Sequence, residues 1–274
     1  MNKALLVGIN KYVSMPNNCL QGCVNDVTNM CDILTKFFNF SSANIRIITD
    51  EKADKNGIYS GLDWLIKDAK KGDKLVFHYS GHGSQVPDTN KDESDGLDEI
   101  ICPTNINWDK CTYITDDDLY NLITIPIGIG AKVEVVLDSC HSGTGTRQLA
   151  AMEFLPESLK MKLRYLPPPV DLHHRYNYDA KKTKILRSTN SKVMNHVLYA
   201  GCMENQTCAD ANIKGKYNGA FTYYLCKTIR DCQGNIVRDE LIRRVRASLS
   251  HDGFDQIPQL ECPTVDITKK VFTF

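Results

Sequence analysis

Short apolar runs alternate along the chain with stripes of helical period. Lys3–Ile9 (KALLVGI), Asn44–Asp50 (NIRIITD), DKLVFHYSG at 73–81, AKVEVVLDS at 131–139 and His196–Cys202 (HVLYAGC) read as strands. Between and after them lie helical patterns. NDVTNMCDILTKFF at 25–38 puts Met30, Ile33, Leu34 and Phe37 on one stripe, and Tyr59–Gly72 is amphipathic and reads as ended by Gly72. NGAFTYYLCKTIR at 218–230 and IVRDELIRRVRASLS at 236–250 predict two more helices. Strands alternating with helices imply right-handed crossovers and a mostly parallel sheet. The expected fold class is α/β: a central sheet of about six or more strands with helices on both faces.

One stretch breaks the rhythm. Arg147–Arg187 has no clean period, contains LPPPV at Leu166–Val170, and carries nine Lys/Arg against four Asp/Glu. The expected organisation is a single domain over 1–274, with a larger part (1–147), an irregular basic linker (148–192) and a smaller part (193–274). A solvated linker is the bland reading of such a stretch, and a functional loop the sharper one.

Charge and cysteine content narrow the class. The 274 residues hold 33 basic and 33 acidic side chains, which gives no electrostatic case for a nucleic-acid or membrane-surface partner. No apolar run reaches the roughly 18–20 residues needed to span a bilayer, and the N-terminus reads as a strand rather than a leader. A cytoplasmic location is expected. Eleven cysteines, an odd number with no Cys-x-x-Cys pair, point to reduced thiols in a reducing compartment.

The chemistry sits at two strand ends. HYSGHG (His78–Gly83) and DSCHSG (Asp138–Gly143) both fall where ligands bind in open α/β sheets. If Asp138–Cys140 stay extended, Asp138 and Cys140 share a face, and Ser139 and His141 take the other. His141 is then poorly placed to take a proton from Cys140. His82, on a glycine-flanked turn after a neighbouring strand, is the better base for a thiol nucleophile. Backbone N–H groups of Gly83 and Cys140 are the candidate oxyanion donors. His78 reads as a sheet residue, His173 and His174 as solvated, and Arg243, Arg244 and Arg246 as a solvated helix face. Asp210, in the stretch after the fifth strand, is placed to line a substrate groove.

FHYSGHGSQ (Phe77–Gln85) with VVLDSCHSGT (Val135–Thr144) resembles the caspase-like cysteine peptidases of the metacaspase and orthocaspase type. ALLVGIN (Ala4–Asn10), LQGCVNDVTNM (Leu20–Met30), DGLDEIICPTN (Asp95–Asn105), ITDDDL (Ile114–Leu119) and GAFTYYL (Gly219–Leu225) carry the resemblance along the chain. It implies a caspase-like α/β/α sandwich and a Cys140/His82 dyad. It also implies an S1 pocket built from Cys23, Asp26, Ser80 and Asp138. Two carboxylates in a partly dry cleft repel unless a cation shares them, and the planar fork of arginine fits best. Cleavage after Arg, then Lys, and not after Asp is the expectation. Taken alone, Asp26 would read as a helix N-cap, and Asp138 as a group orienting a histidine.

An enzyme that cuts after basic residues and carries a basic linker can cut itself. The candidate sites are Arg147, Lys160, Lys162, Arg164, Arg175, Lys181, Lys182, Lys184 and Arg187. The resemblance also implies a calcium site at Asp98, Asp116 and Asp117. The family's fourth aspartate has no match, since SGTGTRQ with Arg147 stands there. Asp88–Glu99 is not an EF-hand loop, because Glu93 stands where the turn glycine is needed. The expected partners are polypeptides with Arg or Lys at the cleaved position, no nucleic acid and no membrane, and the expected state is a monomer. Two other readings stand beside this one: a catalytically silent caspase-like binding module, and another thiol peptidase of legumain-like or separase-like type. Retention of both Cys140 and His82 favours an enzyme over a silent module.

Overall fold

The computed structural model describes residues 1–89, 93, 96–141, 161–172 and 196–273. Its regular elements run β1 (Asn2–Gly8), α1 (Cys23–Phe37), β2 (Ile45–Thr49), α2 (Lys55–Ile66), β3 (Lys74–Ser80), β4 (Gly83–Pro87), β5 (Leu97–Ile101), β6 (Ile114–Thr115) and α3 (Asp116–Gly128). They continue with β7 (Lys132–Asp138), β8 (Lys162–Leu163), β9 (Val197–Ala200), β10 (Ala209–Ile213), β11 (Lys216–Gly219), α4 (Ala220–Asp231), α5 (Arg238–His251) and β12 (Gln259–Glu261).

The central sheet has six strands in the order β12-β9-β7-β3-β1-β2, all parallel except β12. Side chains alternate between its two faces, and each face buries its own core. Leu5, Val7, Leu75, Phe77, Tyr79, Val133 and Val135 pack with Ile58, Leu62 and Leu65 of α2 and Leu119 and Ile123 of α3. Ala4, Leu6, Val76 and Val136 pack with Met30, Ile33 and Leu34 of α1, Phe221 and Leu225 of α4, and Leu241 and Val245 of α5. This is the expected α/β sandwich with helices on both faces.

Register then fixes the site. Gly8 pairs with Ser80 and Ser80 with Asp138, so β1, β3 and β7 end level at one edge. His78, Ser80, Val136 and Asp138 share the parity of the face covered by α1 and α4. Ser80 and Asp138 therefore point toward those helices, not toward α2 and α3.

Several boundaries differ from the sequence reading. The second helix spans Lys55–Ile66 and not Tyr59–Gly72. Asp54 caps its start, accepting from the Gly57 N–H at 2.7 Å, and Asp68 takes a positive φ of 60° just beyond its end. Gly72, at φ 85°, serves the turn into β3 instead. The ITDDDL stretch forms β6 and the start of α3, with Thr115 as N-cap. The Thr115 hydroxyl accepts from the Asp118 N–H at 3.1 Å, and the Asp118 carboxylate accepts from the Thr115 N–H at 3.3 Å. Two small antiparallel sheets, β4-β5-β6 and β11-β10-β8, were not foreseen. Their strands are two to five residues long, too short for a period-2 signal to stand out.

Candidate active site

Asp26 lies in the first turn of α1, fully buried. It is not an N-cap, since Gly22 holds that position. Its carboxylate accepts from the Ser80 hydroxyl at 2.8 Å and from the Gly219 N–H at 3.0 Å. Asp138, at the end of β7, accepts from the Thr222 N–H at 2.9 Å and the Thr222 hydroxyl at 2.7 Å, at the start of α4. Asp210, on β10, accepts from the N–H groups of Gln21 at 2.7 Å and Gly22 at 2.9 Å, just ahead of α1. Three elements distant in sequence thus turn their carboxylates into one pocket, and Cys23 borders it.

The pocket holds Arg164, whose side chain is fully buried. One terminal nitrogen donates to Asp26 at 2.7 Å and Asp210 at 3.0 Å. The other donates to the Ser80 hydroxyl at 2.8 Å and the Asp138 carbonyl at 3.1 Å, with an Asp138 carboxylate oxygen at 3.2 Å. The backbone of Arg164 is fixed as firmly. Its N–H donates to the Cys208 carbonyl at 3.0 Å, and its carbonyl accepts from the N–H groups of Gly83 at 3.0 Å and Cys140 at 3.1 Å. The two backbone donors paired from the sequence therefore converge on one oxygen. On either side the chain stays extended. Leu163 pairs with Ala209 and Lys162 with Asp210, and the Leu166 N–H donates to the Gly83 carbonyl at 3.0 Å.

Two glycines make the fit possible. A Cβ on Gly219 would lie 2.3 Å from the Asp138 carboxylate and 2.4 Å from the Arg164 guanidinium. A Cβ on Gly83 would lie 2.2 Å from the Cys140 carbonyl.

His82 sits on the turn between β3 and β4. Its backbone N–H donates to the Tyr12 hydroxyl at 2.6 Å, and its carbonyl accepts from the Tyr79 hydroxyl at 2.6 Å. Its Nε2 donates to the Asn18 carbonyl at 2.7 Å. A carbonyl can only accept, so the neutral ring carries its proton on Nε2 and keeps Nδ1 as the basic atom. Burial pushes the His82 pKa down to about 4, against the opposing pull of the Asn18 carbonyl and of Cys140. Burial lowers the His141 pKa against the opposing pull of Cys140 and of hydrogen bonds to the backbone of Ser84 and Ile100 on β4 and β5.

Burial pushes the Cys140 thiol up. Hydrogen bonds from the thiols of Cys202 and Cys208 and from the Cys208 N–H outweigh that and bring it well below the usual thiol value.

These features belong to a recognised family. Residues 2–148 match the model of the metacaspase peptidase C14 domain. The chain is 32% identical to metacaspase-1 of Scheffersomyces stipitis over 95% of its own length and 70% of that protein's. It is 30% identical to metacaspase-1B of Neosartorya fischeri over 95% of its length and 68% of that protein's. The chain belongs to the metacaspase family. It is a cysteine-type endopeptidase, and its substrates are polypeptides. A crystal structure of a Geobacter sulfurreducens protein matches this metacaspase with a TM-score of 0.68 at 25% identity, covering 99% of the chain and 98% of that structure. Caspase-1 of Spodoptera frugiperda matches at a TM-score of 0.61 and 11% identity over 99% of the chain and 89% of that structure, a likeness of fold.

The remaining sequence expectations for this metacaspase divide. His78 is a buried sheet residue whose Nε2 lies 3.4 Å from the Thr222 hydroxyl. Asp98 sits on β5, and Asp116 and Asp117 in the first turn of α3. Carboxylates do crowd there: burial, then Asp116 and Glu93, push Glu99 up to about 7. Among the described residues, the three-ligand group whose donor atoms all lie within 4.8 Å of one another is Cys140, Cys202 and Cys208, not these aspartates. Of the self-cleavage candidates, Arg147, Lys160, Arg175, Lys181, Lys182, Lys184 and Arg187 lie outside the described residues, as do His173 and His174. Lys162 donates to the Cys19 carbonyl at 2.6 Å. No described helix is long and apolar enough to cross a membrane. Tyr12, Asn18, Tyr79, Thr222 and Gly219 were not foreseen, because each acts through a backbone or a single long-range contact.

Burial holds Asp26 up at about 7 even with the Arg164 guanidinium beside it. Asp26, Asp138 and Asp210 lose their shared cation in Arg164→Ala. A carboxyl whose folded pKa lies above its unfolded value contributes stability that is lost as pH rises from the unfolded toward the folded value. Thermal melts in a Cys140→Ala background should therefore show Arg164→Ala less stable than its parent. The gap should widen as pH rises above about 7, where Asp26 ionises in the parent and stays protonated once the guanidinium is gone. A gap independent of pH would mean that the guanidinium is not what neutralises the pocket.

Proposed function

We propose that this metacaspase cleaves peptide bonds after arginine, and secondarily lysine, and that its first substrate is its own Arg164–Tyr165 bond. The observation carrying this is Arg164 itself. Its side chain fills a pocket of three carboxylates while its carbonyl rests on the N–H groups of Gly83 and Cys140. A residue held at both ends in this way is bound as a substrate residue preceding the cleaved bond. An aspartate in that pocket would add a fourth negative charge to a buried cluster.

The proposed steps use these groups. Cys140 Sγ attacks the Arg164 carbonyl carbon, and the oxygen gains negative charge against the two N–H donors. His82 Nδ1 holds the thiol proton and passes it to the leaving Tyr165 nitrogen, so the C–N bond breaks as a C–S bond forms. Water then releases the acyl group from sulfur, and His82 takes the proton of that water. Residues 161–166 cover the groove while the Arg164 guanidinium anchors them, so cutting the bond or removing that side chain opens it.

Lysine ranks second because a single ammonium cannot reach Asp26, Asp138 and Asp210 with the paired nitrogens that a guanidinium offers. Calcium enters no step. Stimulation by calcium is a separate proposal, supported by the crowding of Glu93, Glu99 and Asp116 at one side of the cleft.

Purified wild type should yield a fragment whose N-terminal sequence begins at Tyr165, and Cys140→Ala should not. Arg164→Ala should lose that fragment and still cleave arginyl peptides. Equal turnover of peptides with Arg and Asp at the cleaved position would sink the pocket. His82→Ala should lower kcat by about 10² or more, while His141→Ala keeps most of the activity. An equally inactive His141→Ala would reassign the base. For calcium, peptide cleavage is compared in chelator and after millimolar calcium is added, and equal rates would retire the stimulation.

A further inference from the structure

Three thiols meet beside the cleavage site. The sulfurs of Cys140, Cys202 and Cys208 all lie within 4.8 Å of one another, and all three residues are buried. Cys208 contributes most of the contact. Its N–H donates to Cys140 Sγ, its carbonyl lies 3.5 Å from that sulfur, and its own sulfur is 3.1 Å from Cys202 Sγ. All eleven cysteines are free thiols, so none of these is committed to a disulfide. Peptide cleavage as derived above uses the sulfur of Cys140 alone and the backbone of Cys208.

We infer that Cys208 is a resolving thiol for Cys140: it captures the oxidised nucleophile as a Cys140–Cys208 disulfide and so switches the peptidase off reversibly. The chemistry needs a peroxide. The Cys140 thiolate attacks one oxygen of hydrogen peroxide, the O–O bond breaks, and hydroxide leaves, giving a sulfenic acid at Cys140. Cys208 sulfur then attacks Cys140 sulfur. The S–O bond breaks, and the oxygen leaves as water with the Cys208 proton. Two electrons pass from the two thiols to the peroxide.

The surroundings suit each role. Hydrogen bonds lower the Cys140 thiol, which makes it the one to react first with peroxide. Burial and its neighbours hold Cys208 protonated, so it is spared direct oxidation and carries the proton that the leaving oxygen needs. The position also explains why capture would stop proteolysis. Cys208 carbonyl accepts the N–H of the residue preceding the cleaved bond, so a disulfide there removes the nucleophile and ties down the strand that aligns the substrate.

Access depends on the preceding proposal, since residues 161–166 seal Cys140 until they leave. The latch therefore belongs to the opened enzyme. Self-cleaved wild type and Arg164→Ala are treated with hydrogen peroxide, digested without reduction, and mapped by mass spectrometry. The expected product is a linked peptide pair carrying Cys140 and Cys208, with activity on an arginyl peptide restored by dithiothreitol. Cys208→Ser should lose that recovery and accumulate sulfinic acid at Cys140. Sulfinic acid at Cys140 in wild type without a Cys140–Cys208 pair would overturn the latch, as would equal recovery in wild type and Cys208→Ser. Arginyl cleavage and iodoacetamide labelling of Cys140 are measured on the same samples. Both intact with no disulfide means that the latch fails and the proposed specificity stands. Cys140 inert to both reagents overturns the latch and the nucleophile assignment together.

Discussion

Among the described residues, the guanidinium of Arg164 is the cation that faces Asp26, Asp138 and Asp210 in the buried pocket, and the rest of the site is arranged around that charge balance. Three carboxylates brought so close, out of water, repel one another unless a cation offsets them. Asp26 shows the pressure, pushed up to about 7 by burial even in the presence of the arginine. Each carboxylate is steadied by donors that belong to fixed backbone: Gly219 for Asp26, Thr222 for Asp138, Gln21 and Gly22 for Asp210. The pocket is thus negative and held by fixed donors, and the planar guanidinium of Arg164 offsets its charge.

That requirement couples distant parts of the chain. α1 supplies Asp26, β7 Asp138, β10 Asp210, and the start of α4 the floor at Gly219. The level ends of β1, β3 and β7 bring these together with His82 and Cys140 at one edge of the sheet. A second buried pair, Arg238 of α5 with Glu134 of β7 at 2.6 Å, lies on the same helical face as the pocket. Charges inside this layer are paired through specific partners, which ties the packing of α4 and α5 to a single register of the sheet.

Covering the site with the enzyme's own chain also shapes its chemistry. While Arg164 lies in the pocket, Cys140 is sealed and its two backbone donors are used. When the segment leaves, a lowered thiol stands open beside two further thiols. The proposed specificity, processing and oxidant sensitivity all draw on this one small region, because the loop and strand carrying Cys208 and Asp210 border the pocket, the Arg164 backbone and the thiols.

Much of this was legible in the sequence, for reasons that are local. The alternation of buried strands and amphipathic helices gave the layered α/β fold, since period 2 and period 3.6 are written in consecutive residues. The glycine-bracketed turns after two strands marked His82 and Cys140 as candidates, because each stands at the end of a short apolar run. What the sequence could not say depended mostly on contacts far apart in the chain: Arg164 is 26 positions from Asp138, 46 from Asp210 and 138 from Asp26. Arg164 stood as one basic residue among nine in an irregular stretch. No periodicity marks it, and only the closure of β8 on β10 carries it into the pocket. The start of the second helix was misplaced because its cap, Asp54, lies before the apolar stripe begins. The meeting of Cys140, Cys202 and Cys208 follows from the pairing of β7 with β9 and from the loop into β10. The chain thus determines its fold class and its reactive groups through local pattern, and the tertiary structure alone decides which arginine meets which carboxylates.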